Sequence, residues 1–321
     1  MVAKCCINCL FLQCFKYICP FLSGYNMLLR KTLKYNNAKL IICLFAAIIL
    51  IGCHGSSNKR QPSPGSQAAI QDSKTIKHQE TAFRTDSFNL STRNKYGTCD
   101  IHIDFPVEGP ERAVSAIRDF IKSTLFEEGG MSHSDDPERM VHEYCEESQE
   151  RQRKMLKQMG IEHVSEDNAP EEGIDIRAVC ITPKFVTYEI YRYSYITHGA
   201  HGEYSDYGVT FRMKDGHRFS DDLLSRVDEG LYAHIREGMK RYFGVKTEEE
   251  LEAICTADLS LHPMPTFPPY LVRDGVRFHY SIYDICPFDW GDPAFTIPYA
   301  VIRPYLTESA KELLTTQNSE K

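Results

Sequence analysis

The sequence predicts an α+β fold, with antiparallel sheets and packed helices in two consecutive subdomains, and three observations carry that prediction. Ile101, Ile103 and Phe105, and again Val209, Phe211 and Met213, alternate with polar residues at the period of two that a half-buried strand requires. Val114, Ile117, Phe120 and Ile121 fall instead at the three-and-four spacing of a helix with one apolar stripe. Two Asp-Gly pairs, Asp215-Gly216 and Asp274-Gly275, sit between strand-like stretches where tight hairpins belong, and no internal repeat at solenoid spacing is present.

The amino end reads as an address. From Met27 a basic stretch leads into an apolar run, Leu40 to Ile51, which ends in Gly52-Cys53. A bilayer-crossing helix needs about 20 apolar residues, so this run is too short to span and long enough for the core of a signal. Residues 1–26 are expected to be an upstream mis-start, 27–53 a lipoprotein signal peptide, and Cys53 the lipidated residue. Two or three acyl chains there would anchor the chain firmly to a bacterial membrane, facing away from the cytoplasm. Residues 54–95, rich at their start in Ser, Gln, Pro and Gly, read as a flexible tether.

The globular part follows as an N-terminal subdomain, 96–195, and a C-terminal one, 196–314. The strand at Ile101–Phe105 stops at Pro106, and Pro110 opens the first amphipathic helix. Pro137 opens a second, with Val141, Tyr144, Cys145 and Leu156 on one side and Gly160 after its end. Val179 to Ile196 is rich in β-branched and aromatic residues and predicts one or two strands, broken near Pro183. Leu224, Val227, Leu231, Ile235 and Met239 predict a helix closed by Gly244, and Thr247 with Glu250 forms a capping box for the next. A hairpin around Asp274-Gly275 and a strand at Ala294–Ile297 complete the order.

Charge excludes one class of partner. Residues 1–53 hold six basic residues and no acidic one; without them the chain carries 31 basic against 44 acidic residues, a net charge of −13. Such a body repels nucleic acid and anionic headgroups and attracts cationic partners. Seven of the twelve cysteines also lie in 1–53, leaving Cys99, Cys145, Cys180, Cys255 and Cys286 in the exported part, an odd number whose pairing the sequence leaves open.

Catalytic constellations are scarce. The chain has no Gly-x-Ser-x-Gly elbow, phosphate-cradling loop or His-Glu-x-x-His pair. His142-Glu143 with Glu146 substitutes a carboxylate for the second histidine of a metal helix and reads as a solvated face. His198 and His201 share a Gly-rich loop and, with Glu203 or Asp206, would reach one ion, although a turn-fixing role is the simpler reading. Asp221-Asp222 reads as a helix cap. Phe185 to Tyr195 and Tyr280 to Phe295 are dense in aromatic residues, with most rings destined for the core; Trp290, in a loop of Pro, Gly and Asp, leans toward a contact surface.

Tyr193-Ser194-Tyr195-Ile196-Thr197-His198-Gly199-Ala200-His201-Gly202, running on through the Asp215-Gly216 hairpin to Phe219-Ser220-Asp221-Asp222-Leu223-Leu224, resembles the RsiV-type extracellular domain. Pro269 to Phe278, Tyr283 to Phe288 and Thr296-Ile297-Pro298-Tyr299 resemble the end of the same domain, so the likeness spans about 190–306. That family includes anti-sigma ectodomains, some of which bind lysozyme, and the accessory region of PdaC-type peptidoglycan deacetylases. The resemblance implies an α+β ectodomain at the cell envelope. The chain lacks the deacetylase's Thr-Phe-Asp-Asp signature, and Cys53 ends its hydrophobic run before a full span, so neither deacetylase nor direct anti-sigma activity is expected.

The expectation is thus a non-catalytic envelope lipoprotein without cofactor or metal. Its ectodomain is expected to bind peptidoglycan or a cationic protein such as lysozyme, with His198, His201, Tyr283 and Trp290 as ligand contacts. The alternatives are a metal-assisted wall enzyme built on the His198/His201 loop and an envelope scaffold.

Overall fold

The computed structural model describes residues 82–126, 134–165 and 168–314. The expected mis-start (1–26), signal peptide (27–53), lipidated Cys53 and residues 54–81 of the expected tether lie outside them. The fold is α+β. A five-stranded sheet comprises β1 (Arg84–Asn94), β2 (Gly97–Glu108), β3 (Glu171–Ile181), β4 (Phe185–Tyr195) and β5 (Glu203–Arg212), in that spatial order. A three-stranded sheet follows, β6 (Tyr270–Leu271), β7 (Gly275–His279) and β8 (Ala294–Pro298).

The tether expected as far as residue 95 ends earlier, because Arg84–Asn94 pair antiparallel with β2 as an edge strand. Its Asp, Ser, Asn and Thr residues leave one face to water, which is why it reads as tether while Phe88 and Leu90 pack against the core. The β1–β2 turn ends at Gly97, at φ 149°, where a Cβ would lie 2.4 Å from the Pro170 carbonyl oxygen.

Between β2 and β3 run α1 (Glu111–Leu125) and α2 (Pro137–Gln158). This long helical crossover lets β2 and β3 pair parallel, the one parallel pairing among the described strands of two otherwise antiparallel sheets. Asp136 caps α2 by accepting from the Glu138 amide, with Pro137 at the first turn. Ile117, Phe120 and Ile121 of α1 and Met140, Val141 and Tyr144 of α2 bury against Ile101, Ile103 and Phe105 of β2. Each fully buried side chain of this size contributes about 1.5–3 kcal/mol. Inside this core the Cys99 and Cys145 sulfurs lie 2.8 Å apart, joining β2 to α2.

The boundary expected at 195/196 falls within the β4–β5 hairpin of one continuous sheet, so the Gly-rich loop there is a turn and not a linker. The hydrophobic cores divide later. The first includes Phe211 and Met213, whereas the second begins with Phe219 and borrows only Cys180 and Phe185 from the sheet. It packs α3 (Glu229–Phe243), α4 (Glu248–Ile254), α5 (Tyr299–Ile302) and α6 (Glu308–Leu313) with the smaller sheet. Helix α3 starts at Glu229 because Asp228 accepts from the Leu231 amide. Leu224 instead bridges to Leu306, and Asp222 binds the Ser220 amide and His217, so the expected Asp221-Asp222 cap is a turn.

Two threonines join the sheets. The buried Thr187 donates to the Leu271 carbonyl at 2.7 Å, and Thr210 accepts from the Leu271 amide at 3.0 Å. Because alternate residues of β4 and β5 face opposite sides, Tyr188 and Ile190 serve the first core while Thr187, Glu189 and Tyr191 point the other way. That second face positions the site. Among the described residues, no helix is long and apolar enough to cross a membrane.

Candidate functional site: an aromatic face beside a buried histidine

On the far half of the β4–β5 hairpin Tyr191 lies opposite Asp206 and Tyr193 opposite Tyr204. The loop beyond Tyr195 turns on a 2.7 Å bond from the Gly199 amide to the Ile196 carbonyl, with His198 exposed at φ 64°. His201 is fixed at both ring nitrogens. Nδ1 lies 2.9 Å from the Gly202 carbonyl oxygen and therefore donates, which leaves Nε2 to accept from the Tyr283 hydroxyl at 3.2 Å. Its ring stacks on Phe288 with centroids 3.8 Å apart.

Tyr283 sits at φ 67°, a left-handed conformation costing about 1–3 kcal/mol for a residue with a Cβ. The turn is imposed by Asp284, whose carboxylate accepts from the Ser281 amide at 2.9 Å and the Thr266 hydroxyl at 2.8 Å. The result is a ring held 57% exposed. Trp290 ends a short 3₁₀ turn begun by Phe288; its carbonyl accepts from the Tyr242 hydroxyl at 3.1 Å, and its ring meets Phe243 edge-on at 5.7 Å.

Exposed large apolar side chains are otherwise scattered, but the exposed aromatic ones among the described residues, Tyr191, Tyr242, Tyr283 and Trp290, belong to this one face. Tyr204 and Phe288 connect Tyr191 to Tyr283, at centroid separations of 6.3 Å for Tyr191–Tyr204, 6.1 Å for Tyr204–Phe288 and 6.0 Å for Phe288–Tyr283, and Phe243 connects Tyr242 to Trp290, at 5.1 Å and 5.7 Å. Burial and the nearby Asp292 carboxylate raise the phenol pKa values of Tyr191, Tyr204 and Tyr242, so these hydroxyls stay neutral donors.

Beneath the face lies His279, 4% exposed at the end of β7. Its Nε2 is 3.0 Å from Asp292 and its Nδ1 3.8 Å from Asp206. Burial pushes the Asp206 carboxyl up to about 6, with Glu189 and Asp292 adding to the rise and His279 and Arg277 opposing it. Among the described residues Asp206, His279 and Asp292 form the one grouping of three side chains able to hold a metal ion, and neither His198 nor His201 belongs to it. Of the four ligand contacts expected from the sequence, His201, Tyr283 and Trp290 therefore share a surface while His198 sits exposed on the adjoining turn; Asp206 turns away from the loop histidines toward His279. His279 and Asp292 escaped sequence reasoning, because His279 follows Arg277 at the alternating polar positions of Val276–Tyr280 and so reads as a solvent-facing strand residue.

The same fold occurs in a DUF3298 family member. That protein, from Bacteroides fragilis, superposes with a TM-score of 0.60 at 23% identity, over 73% of this chain and 97% of its own. A DUF3298 family protein from Pseudomonas aeruginosa gives a TM-score of 0.46 at 14% identity, over 72% of this chain and 95% of its own. No family model and no curated protein matches the chain.

Proposed function

We propose that the chain is a non-catalytic, lipid-anchored binding ectodomain of the RsiV and DUF3298 kind, attached through Cys53 to a bacterial envelope, whose aromatic face takes a cationic protein such as a lysozyme-like muramidase. The observation that carries this reading is the concentration of exposed rings on one face, with Tyr283 held outward against backbone preference. Exposed rings of this kind anchor interfaces and receive Arg and Lys side chains. A charge of −13 beyond residue 53 steers a cationic partner toward them. Engagement of both His201 nitrogens in orienting bonds favours a contact role over a proton-transfer role.

The test is association of the full chain in detergent with lysozyme, measured across ionic strength. The reading predicts binding whose on-rate falls steeply as salt rises. A salt-insensitive association with soluble peptidoglycan fragments, and none with lysozyme, would transfer the face to a wall glycan stacked on the same rings. Failure of both at low ionic strength refutes the proposal.

A further inference from the structure

We propose that Asp206, His279 and Asp292 form a binding site for a divalent transition-metal ion of the zinc class. The observation is a mismatch of polar groups. His279 is 4% exposed, yet its Nδ1 has no hydrogen-bond partner among the described residues, and neither has the buried Asp206 Oδ1 that it faces. At 3.8 Å they are too far apart to share a proton well, and burying two such atoms unpaired costs about 1–3 kcal/mol each. The separation suits two ligands of one ion, since metal bonds of about 2.0–2.2 Å at a tetrahedral angle place their donors roughly 3.4 Å apart, and more at a wider angle. Both orphaned atoms are then satisfied at once.

The other side of the ring fits the same reading. Nε2 lies 3.0 Å from Asp292 Oδ2, and a ligating imidazole commonly gives its second N–H to a carboxylate, which fixes the tautomer and raises the basicity of the metal-bound nitrogen. One imidazole nitrogen with the Asp206 carboxylate as ligands favours zinc or its neighbours over calcium or magnesium, which prefer sites of oxygen alone. Asp206 and Asp292 are each about a quarter exposed, leaving room for water in the remaining positions. The site is independent of the reading of the aromatic face, because metal uptake is measured without any protein or glycan ligand.

The experiment is calorimetric titration of chelator-stripped full chain with Zn²⁺, Co²⁺ and Ca²⁺, with native mass spectrometry for stoichiometry. A single Zn²⁺ per chain is expected, with Co²⁺ giving d–d absorption and Ca²⁺ not competing. Asp206→Asn and His279→Asn are expected to abolish this binding, and Asp292→Asn to weaken it by about 10–100-fold. Should His279→Asn fail to fold, Asp206→Asn carries the test, since it changes a partly exposed group of nearly the same shape. Absence of Zn²⁺ binding, undiminished binding in Asp206→Asn, or binding lost in His201→Ala but kept in Asp206→Asn would each overturn the assignment.

Discussion

Oxidation of the Cys99–Cys145 pair should stabilise the fold by an amount that the chain separation sets. The sulfurs are 2.8 Å apart in the first core, and the Cys99 thiol hydrogen-bonds Cys145, raising its own pKa and lowering that of its partner. In an oxidising compartment oxidised glutathione takes the two electrons, and the two thiols lose their protons as the S–S bond forms. The residues are 46 apart in sequence, and loop-closure entropy for that length gives about 4 kcal/mol. At roughly 2–4 °C per kcal/mol for a domain of this size, the melting temperature should rise by roughly 8–16 °C. The assay is calorimetric melting of the full chain refolded with oxidised glutathione against the same chain in dithiothreitol, with peptide mapping to locate the bond. Cys145→Ser should abolish the difference. A bond mapped from Cys99 to any other cysteine, or equal melting of oxidised and reduced protein with the bond formed, would refute the reasoning.

Other consequences are equally measurable. A Cβ on Gly238 would lie 2.1 Å from the Phe295 ring, so Gly238→Ala should destabilise the chain by about 1–3 kcal/mol in guanidinium unfolding, despite the better helix former. The Arg212 guanidinium, bound at both carboxylate oxygens, holds Asp215 below the usual carboxylate range. A depressed folded pKa contributes stability above the unfolded value of about 3.9 and loses it as pH falls through the folded value, so Asp215→Asn should cost about 1 kcal/mol at pH 7 and progressively less below pH 4. Tyr283→Gly, by releasing the left-handed strain, should raise stability by up to about 1 kcal/mol while weakening ligand binding; a lower melting temperature would contradict the strain argument.

How far the sequence announces this structure varies by element. Ile101, Ile103 and Phe105 expose β2 by alternation alone, and the Asp215-Gly216 and Asp274-Gly275 turns come from chemistry local to a few residues. The edge strand β1 is hidden because its exposed polar face resembles a solvated tether. The parallel pairing of β2 with β3 is hidden for a different reason, since two helices separate the strands and nothing local specifies their direction. Ile174 and Ile176 alternate with Asp175 and Arg177 and would have revealed β3 before Val179. Asp228, not a residue near Leu224, marks the start of α3, because only its carboxylate reaches the Leu231 amide.

The site divides in the same way. Trp290 and Tyr283 stand out as bulky rings in segments of Pro, Gly and Asp, and His201 as part of a Gly-rich loop. The convergence of His201 and Tyr283 on Phe288, two residues before Trp290, is a tertiary fact that follows from the sheets packing through Thr187 and Thr210. Asp206, His279 and Asp292 come from β5, β7 and the loop before β8, so no motif spacing unites them.

The most direct measurement of the central claim is the affinity of lysozyme for the full chain compared with that for the Tyr283→Ala, Trp290→Ala double variant, at fixed low salt and with folding verified. The aromatic face as binding surface predicts a loss of at least about 2 kcal/mol, or roughly 30-fold, with little change in net charge or melting. An affinity that survives removal of both rings, or no binding by the unaltered chain, would contradict it.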